Sequence, residues 1–509
     1  MQQPDKSPIA TPQDVYEDRR LANVHPAAWP NPKPADCYQL VIVGAGPAGL
    51  AAAEMAAALG ARVALIERSS IGGDCLNTGC LPSKSIIRTS RLYADMRDAN
   101  RFGAQVPADI QVDFGATMKR MRRIRAHLSR SDSARRLASI GVDVFFGDAR
   151  FAGADSLTIN GETLRFKKAL IASGARPHVP AIPGLAQAGY LTNENVFDLT
   201  KLPRRLLVIG GGPLGCELAQ AFCRLGAKTT IVQKLPLFLG GEERDAAQIL
   251  SDSFARDGIE VRLNTNAVDV RVENGQKLVD LVSDDYKNTI TVDAILTGIG
   301  HAPNVQGLNL EAAGVDYDAA DGIRIDDFMR TANPRIYAAG DVCRLHKNTQ
   351  TGAAAARIVV QNALFRGRER FSSLIIPWCT FTDPEIAHVG LYGREANRRN
   401  IPIKTFTIPM HEIDRAVTDS EEAGFVKIHV REGTDRILGA TLVARDAGSM
   451  INEITLAMMA GIGLRALAQV VHAYPTQADA IRQAAEAYRR TRLTPRIRSR
   501  LHHWLARNA

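Results

Sequence analysis

The chain has 509 residues, of which 45% are hydrophobic and 23% charged, with a formal net charge of +9. This length predicts roughly three domains. Seven cysteines are too few for a secreted disulfide framework, and the first residues lack the pattern of a secretory signal peptide. The apolar run over residues 49–60 is interrupted by Glu54 and is too short to span a membrane. We therefore expect a cytoplasmic protein without a transmembrane helix.

Residues 1–36 are polar and rich in proline, as in the segment HPAAWPNPKPAD. Such a composition favours an extended chain over a packed domain. We expect these residues to form an extended N-terminal arm.

The first strong motif follows this arm. An apolar strand, a glycine turn, an alanine-rich helix and a second strand cover residues 38–67, with Gly44, Gly46 and Gly49 in a G-x-G-x-x-G pattern. Glycines at these places allow a tight turn, close approach of a pyrophosphate and close packing of helix on strand. Glu67 ends the second strand, where it can accept hydrogen bonds from a ribose diol. The segment predicts a dinucleotide-binding site.

A second copy of this βαβ pattern begins near residue 205. Its glycines are Gly210, Gly212 and Gly215, and two copies imply two bound dinucleotides. Gln233 and Lys234 stand where the first copy has its terminal acid. The ribose 2′-hydroxyl of NADH would find no carboxylate partner at this place, whereas the 2′-phosphate of NADPH would find a cation. The second motif therefore favours NADPH over NADH.

The remaining chain shows shorter signals. Apolar strands precede the second motif and follow it, and one of them ends at Gly340 and Asp341. From residue 371 the strands alternate between apolar and polar residues, a pattern typical of an antiparallel sheet. Helices follow through Tyr488, so we expect a separate interface domain.

Between the two βαβ segments lies the sequence GGDCLNTGCLPSK, in which Cys75 and Cys80 are five positions apart. The pair could be a structural disulfide, a metal site or a redox couple. A structural disulfide is unusual in the cytosol, and a metal site lacks further ligands because there is no C-x-x-C and no nearby histidine. The context favours a redox pair.

These motifs, in this order from Tyr38 to Tyr488, resemble the flavin-dependent pyridine nucleotide-disulfide oxidoreductases, which include glutathione reductase, dihydrolipoyl dehydrogenase and mercuric reductase. The segments CELAQAFCRLGAKTTIV, FTDPEIAHVG and YPTQADAIRQAAEAY are most similar to the mercuric-reductase branch. The resemblance implies an α/β fold with two Rossmann-like dinucleotide-binding domains, for FAD and NAD(P), and a C-terminal α+β dimerisation domain. It also implies a homodimer whose active site uses the partner's C-terminal domain.

The resemblance further implies that Gly340 and Asp341 form a second FAD fingerprint, with Gly174 also at the FAD site. We expect the FAD-binding domain at residues 37–188 and 318–370, and the NAD(P)-binding domain at residues 189–317. The dimerisation domain is expected at residues 371–487, followed by a basic tail at residues 488–509.

The expected chemistry is a relay of two electrons. A nicotinamide delivers a hydride, a flavin accepts it, and a dithiol carries the electron pair to a substrate that cannot take hydride. Cys80 lies at the start of a helix, where backbone amides lower a thiol pKa, so it is the expected flavin-proximal thiolate. Cys75 is the expected interchange thiol. Lys84 and Glu217 match the ion pair that the family places near the flavin.

The C-terminal domain departs from the disulfide reductases. Those enzymes carry a His and a Glu that move protons, whereas this chain has Tyr474 and Asp479 at those places. Tyrosine is a poor base at neutral pH, although His472 could substitute for the missing histidine. Tyr474 resembles mercuric reductase, yet no cysteine follows Cys379 to deliver metal. The expected substrate is a soft metal ion or a small disulfide, with a dihydrolipoyl-type activity as the alternative.

The positive charge is concentrated at the C-terminus. Residues 486–509 contain seven arginines and a single acid, Glu486, and Leu493, Ile497, Leu501 and Trp504 recur at helical spacing. The pattern predicts a basic amphipathic helix that packs on its own domain, docks on a partner or lies on an anionic membrane, where the protein could reduce a quinone. No basic groove with interleaved aromatic residues indicates nucleic-acid binding.

Overall fold

A computed structural model describes residues 14–107, 109–284, 286–343 and 349–508. Contacts divide these residues into two compact units. The first unit contains residues 14–234 and 259–373, and the second contains residues 235–258 and 374–508. The segment 235–258 lies in the second unit, whereas the sequence analysis assigned it to the NAD(P)-binding domain.

The helices and strands of the described residues are numbered in chain order. The helices are α1 (Val15–Val24), α2 (Pro47–Ala58), α3 (Gly73–Asn77), α4 (Cys80–Arg97), α5 (Phe114–Leu128), α6 (Ala134–Ser139), α7 (Leu185–Ala188), α8 (Pro213–Arg224), α9 (Arg244–Asp257), α10 (Thr349–Leu364), α11 (Gly393–Arg398), α12 (Asp414–Thr418), α13 (Ala447–Met459), α14 (Leu464–Leu467), α15 (Asp479–Arg492) and α16 (Pro495–Arg507). The strands are β1 (Tyr38–Val43), β2 (Val63–Glu67), β3 (Val142–Phe146), β4 (Arg150–Gly153), β5 (Ser156–Ile159), β6 (Glu162–Ile171), β7 (Ala175–Pro177), β8 (Arg205–Ile209), β9 (Lys228–Val232), β10 (Glu260–Arg262), β11 (Asn266–Glu273), β12 (Gln276–Val282), β13 (Lys287–Val292), β14 (Ala294–Thr297), β15 (His301–Pro303), β16 (Tyr317–Asp318), β17 (Gly322–Ile323), β18 (Ile336–Ala338), β19 (Pro377–Thr380), β20 (Glu385–Gly390), β21 (Ile403–Pro409), β22 (Phe425–Arg431) and β23 (Ile437–Ala444).

The first unit contains two mainly parallel sheets. In the larger one the order is β3-β2-β1-β6, β18 also pairs with β6, and β4 and β5 extend it as an antiparallel ribbon. In the other the order is β10-β9-β8-β14, all parallel. Strands such as β1 and β2 are almost wholly buried because helices cover parallel sheets on both faces. The prediction of two Rossmann-like segments is confirmed.

The second unit is built on one antiparallel sheet. Its order is β19-β20-β23-β22-β21, and α13 and α15 pack against it over an apolar core. The alternating pattern after residue 371 therefore predicted this sheet correctly. Helix α9 belongs to the same unit although it follows β9 of the second βαβ segment.

The prediction of an extended N-terminal arm is wrong for residues 15–24, which form α1. Asp14 caps this helix by accepting from the backbone amides of Tyr16 and Glu17. An N-cap aspartate and acidic residues in the first turn stabilise a helix, and these local signals outweigh the proline-rich composition of the residues that follow. Residues 1–13 of the predicted arm lie outside the described residues.

The basic tail forms the predicted helix α16, which begins at Pro495 with Thr494 as its cap. None of the residues of α16 is buried, and Trp504 is 62% exposed. The interpretation that this helix packs on its own domain is therefore wrong for the described residues. In the described part of the chain, every helix is too short or too polar to cross a membrane.

Candidate active site

The first glycine motif forms the tight turn between β1 and α2. Gly44 has φ +103°, and a Cβ there would lie 2.3 Å from the carbonyl oxygen of Ala172. A Cβ at Gly49 would lie 1.8 Å from the carbonyl oxygen of Gly44. By contrast, a Cβ at Gly46 would come within 4 Å only of the Cα of Gly73, at 3.8 Å. The first and third glycines thus allow the packing of the turn, and the second leaves space for a ligand.

Glu67 ends β2 and holds the glycine turn in place. Its carboxylate accepts from the backbone amides of Ala45 and Ser69, both at 2.8 Å. Burial raises the pKa of this carboxyl although both amides favour its charged form. Its role toward a ribose stays a prediction.

A cavity of about 520 Å³ lies beside this turn. It is lined by several of the predicted residues, namely Gly44, Gly46, Glu67, Cys75, Gly174, Gly340 and Asp341. A second cavity of about 540 Å³ shares Gly44 and Glu67 with it and continues along β2 and the residues after β3. Volumes of this size are typical of cofactor sites. The open space at Gly46 and the glycine turn fit a dinucleotide such as FAD.

Of the two cysteines of the central motif, Cys75 lines this cavity, and both are free thiols. Cys75 is in α3 and Cys80 is the first residue of α4, with its Sγ 3.3 Å from the Oγ1 of Thr349. The pKa of Cys80 is lowered to about 6, chiefly by a hydrogen bond from the Cys75 thiol and also by Thr349 and the charge of Lys84, against the effect of burial. The same hydrogen bond, with burial, raises the pKa of Cys75. The surroundings of the pair therefore favour the thiolate on Cys80 and the protonated thiol on Cys75.

The ion pair predicted between Lys84 and Glu217 is present in the structure. Lys84 lies one turn into α4, and its Nζ is 2.7 Å from Oε2 of Glu217 in α8. The Glu217 side chain is only 4% exposed, so removal of the lysine would leave a buried carboxylate without this cation. The pair joins the helix of Cys80 to the helix of the second glycine motif.

The second glycine motif has the same construction as the first. Gly210 has φ +106°, Gly212 caps α8, and a Cβ at Gly215 would lie 2.2 Å from the carbonyl oxygen of Gly210. The side-chain oxygen of Gln233 accepts from the backbone amide of Gly211 at 3.1 Å. Lys234, the next residue, is exposed. A cation is therefore available beside the turn, while the choice between NADPH and NADH stays a prediction.

In the second unit, Tyr474 and Asp479, which stand at the places of the family's proton-transfer pair, bond to separate partners. The hydroxyl of Tyr474 donates to Asp414 at 2.7 Å, which raises the pKa of the tyrosine. Asp479 accepts from Arg482 at 2.6 Å, and this bond lowers its pKa. His472 instead forms a pair with Glu453, at 2.9 Å between Nε2 and Oε1.

Among the lining residues that sequence analysis missed are Glu17, Arg20, Arg125 and Thr349. Thr349 is 269 positions from the cysteine that it contacts, so no local pattern could have indicated it. The aspartate cap and acidic first turn of α1 were the available signal for Glu17 and Arg20.

Within the described residues, no group of three His, Cys, Asp or Glu side chains is arranged to hold a metal ion.

Comparison with known proteins gives one family. The family model described as pyridine nucleotide-disulphide oxidoreductase matches residues 38–357, and the model of the corresponding dimerisation domain matches residues 376–485. A mercuric reductase of Lysinibacillus sphaericus is 32% identical over 450 residues, covering 88% of this chain and 82% of that protein. A dihydrolipoyl dehydrogenase of Thermus scotoductus is 32% identical over 469 residues, covering 88% of this chain and 97% of that protein.

Among solved structures, the Cu(II) complex of the HOCl-induced flavoprotein disulfide reductase RclA from Escherichia coli has a TM-score of 0.80 and 28% identity. The match covers 89% of this chain and 100% of that one. The fold therefore matches that of flavoprotein disulfide reductase structures.

This chain belongs to the class I pyridine nucleotide-disulfide oxidoreductase family. Members of the family use FAD and NAD(P)H. The dimerisation domain supports a homodimer.

Proposed function

We propose that the protein is a cytoplasmic NAD(P)H-dependent reductase that passes electrons through Cys75 and Cys80 to a soft metal ion or a small disulfide. The observation that carries this proposal is the placement of the two cysteines: Cys75 lines the cavity at the first glycine turn, and Cys80 begins α4 with its Sγ beside Thr349. The surroundings lower the pKa of Cys80 and raise that of Cys75, which suits a reduced relay in which one sulfur faces the flavin and the other the substrate.

In this proposal FAD occupies the cavity at the first glycine turn, held by Gly44, Gly46, Glu67 and the segment at Gly340 and Asp341. When bound, it supplies the transfer of an electron pair from the nicotinamide to the disulfide form of the cysteines. The FAD-binding segments are then 37–188 and 318–370, and the NAD(P)-binding segment is 189–317. Gln233 and Lys234 favour NADPH as the donor.

The reduced cysteines then act on the acceptor. With a disulfide acceptor, the Cys75 sulfur attacks one sulfur of the acceptor and its proton passes to the leaving sulfur, which departs as the first thiol and leaves a mixed disulfide. The Cys80 thiolate attacks the Cys75 sulfur, which restores the Cys75–Cys80 disulfide and releases the second sulfur as a thiolate that takes a proton from water. With a soft metal ion, Cys75 gives its proton to water, both thiolates bind the ion as ligands, and two electrons that originate from NAD(P)H reduce it. Lys84 and Glu217 hold α4 at the site.

Two observations favour different acceptors. Tyr474 is 73% exposed and has a raised pKa, which suits an acceptor that needs no proton transfer, such as a metal ion. The contact of His472 with Glu453 resembles a base held by a carboxylate, which suits lipoamide exchange. The similarity to mercuric reductase and to a reductase solved with Cu(II) favours the metal.

The acceptor can be tested with one panel. Hg(II), Cu(II), glutathione disulfide, lipoamide and quinones would be assayed with NADH and with NADPH, in the wild type, Tyr474→Phe and His472→Ala. We expect turnover with a metal ion and NADPH that falls about tenfold or less in His472→Ala. Lipoamide turnover that is lost in His472→Ala but kept in Tyr474→Phe would instead establish the dihydrolipoyl-type activity. Absence of turnover with every metal ion would contradict the leading assignment.

We also propose peripheral contact between α16 and an anionic membrane. The helix has four arginines and no acid, and Ile497, Leu501, Trp504 and Leu505 are each at least 41% exposed. Apolar side chains between arginines suit insertion at a lipid interface. This contact would bring the protein to quinones or membrane proteins.

The membrane contact is tested by co-sedimentation with vesicles of anionic or neutral lipid. We expect binding to anionic vesicles that weakens with salt and is reduced about tenfold in Trp504→Ser with Leu501→Ser, because two apolar anchors are lost. Asn508→Ser serves as the control at the end of the same helix. Equal sedimentation of the wild type and the double variant would contradict the proposal.

A further inference from the structure

The N-terminal helix α1 lies outside the part of the chain that matches the family. The family model begins at residue 38, whereas α1 covers Val15–Val24. Nevertheless, Glu17 and Arg20 of α1 line the same cavity as Gly46, Glu67 and Asp341. This chain therefore adds a wall to the cofactor cavity that the matched domain does not supply.

The added wall is held by buried charged side chains. Glu17 accepts from Arg20 at 2.5 Å through one carboxylate oxygen and from Arg125 of α5 at 2.7 Å through the other. Glu17 and Arg125 are 5% and 4% exposed. Charge-assisted bonds in such surroundings are strong, and losing one partner leaves the other charge buried without compensation.

Arg20 also connects α1 to the redox motif. Its Nη1 donates to the side-chain oxygen of Asn77 at 2.5 Å, and Arg125 donates to the backbone oxygen of the same residue at 2.8 Å. Asn77 ends α3, two residues after Cys75, and its amide group donates to the backbone oxygens of Ile71 and Gly73. The two arginines thus fix the short helix that carries Cys75.

The segment after α1 is fastened to the same unit. The backbone oxygen of Val24 accepts from the amide of Ile71 at 3.0 Å, and Trp29 donates through Nε1 to the oxygen of Val144 at 3.0 Å. The side chain of Asn31 both donates to and accepts from the backbone of Phe146. These bonds hold α1 in position at both the redox motif and the end of β3.

Arg125 supports this wall from the side of α5. It lines the cavity together with Glu17 and Arg20, and it is 4% exposed. Its bonds to Glu17 and to Asn77 therefore join α1, α3 and α5 at the cavity.

We propose that α1 is an additional part of the FAD site, in which Arg20 and Glu17, with Arg125 behind them, close the cavity wall and slow the release of FAD. The helix slows the release of FAD in two ways: it covers the cavity directly, and it fixes α3 through Asn77. The proposal concerns cofactor retention and does not depend on which acceptor the enzyme reduces.

The test compares FAD release from the purified holoprotein after dilution, followed by the increase in free-flavin fluorescence. We expect Arg20→Ala to release FAD about tenfold faster than the wild type, because it removes buried charge-assisted bonds. Arg19→Ala is the matched control, since Arg19 is the adjacent arginine of α1 and is exposed. It should release FAD at the wild-type rate.

Thermal unfolding with and without FAD separates a cofactor role from general support of the fold. Because FAD stabilises only the protein that binds it, a weakened site reduces the rise in Tm on adding FAD. We expect a smaller rise in Arg20→Ala than in Arg19→Ala. Equal release rates in the two variants, or a Tm lowered equally with and without FAD, would overturn the proposal. If Arg20→Ala does not fold, Arg20→Lys is compared with Arg19→Lys by the same criteria.

Discussion

Cys80→Ser is expected to abolish the long-wavelength absorbance band that anaerobic NADPH titration produces in the wild type. The band requires a thiolate beside the flavin, and Cys80 is the cysteine whose environment stabilises the charged form. Its pKa is lowered to about 6, chiefly by the hydrogen bond from Cys75. A serine hydroxyl stays protonated at neutral pH, so it cannot replace the thiolate. Turnover with any acceptor should fall by about a thousandfold or more, because the relay needs both sulfurs.

The pH dependence of this band follows from the same contacts. Because Cys80 is charged above a pKa of about 6, the band should be present at neutral pH and be lost as the pH falls through about 6. Cys75→Ala removes the donor that contributes most to this low pKa, so the midpoint should move upward, while the band itself remains at high pH. Cys223→Ser, at a half-buried cysteine of α8, is the control and should keep both band and midpoint. A band that persists in Cys80→Ser would refute the assignment of the flavin-proximal thiolate.

Gly49→Ala is expected to yield protein that lacks FAD and unfolds more easily. The added Cβ would lie 1.8 Å from the carbonyl oxygen of Gly44 and 3.3 Å from the side chain of Ile42, so α2 must move away from β1. Forcing a methyl group into a site packed against backbone costs about 3 kcal/mol of unfolding free energy. It also displaces the N-terminus of α2, where we propose that the phosphates of FAD bind. The measurements are the flavin-to-protein absorbance ratio and the urea unfolding midpoint.

Gly115→Ala is the matched control for this substitution. Gly115 is also in the first turns of a helix, but it is exposed and a Cβ there meets its nearest neighbour at 3.4 Å. Alanine in such a place stabilises a helix by about 0.5–1 kcal/mol relative to glycine. A Gly49→Ala protein with the FAD content of Gly115→Ala would show that the turn tolerates a side chain and that the packing argument fails.

The parts of the fold that sequence predicted well are those with short-range signals. Each glycine turn lies between a strand and a helix that are its direct neighbours in the sequence. The first and third glycines of each turn stand where a Cβ atom would clash with the backbone. The pair of Lys84 and Glu217 is 133 positions apart, and it was predicted only through the family resemblance. Thr349 had neither signal, because its contact with Cys80 depends on how α10 packs in the folded unit.

The N-terminal segment was misjudged because two signals competed. In the N-terminal segment, prolines at positions 26, 30, 32 and 34 dominated the composition, while the cap at Asp14 and the buried Glu17 determined the structure. In the C-terminal unit, Tyr474 and Asp479 occupy the family's two positions but turn to separate partners, Asp414 and Arg482. Position in a motif indicates where a residue lies along the chain, whereas its partners depend on residues from other elements.

The residues that close the two glycine turns have a consequence for how cofactor preference can change. Glu67 and Gln233 each accept a hydrogen bond from a backbone amide of their own turn, at 2.8 Å and 3.1 Å. A carboxylate and a carboxamide offer the same oxygen to that amide but differ by one unit of charge. The shape of the turn and the charge beside it can therefore be adjusted independently. Exchange of a single side-chain group at this position would change that charge and keep the hydrogen bond that closes the turn.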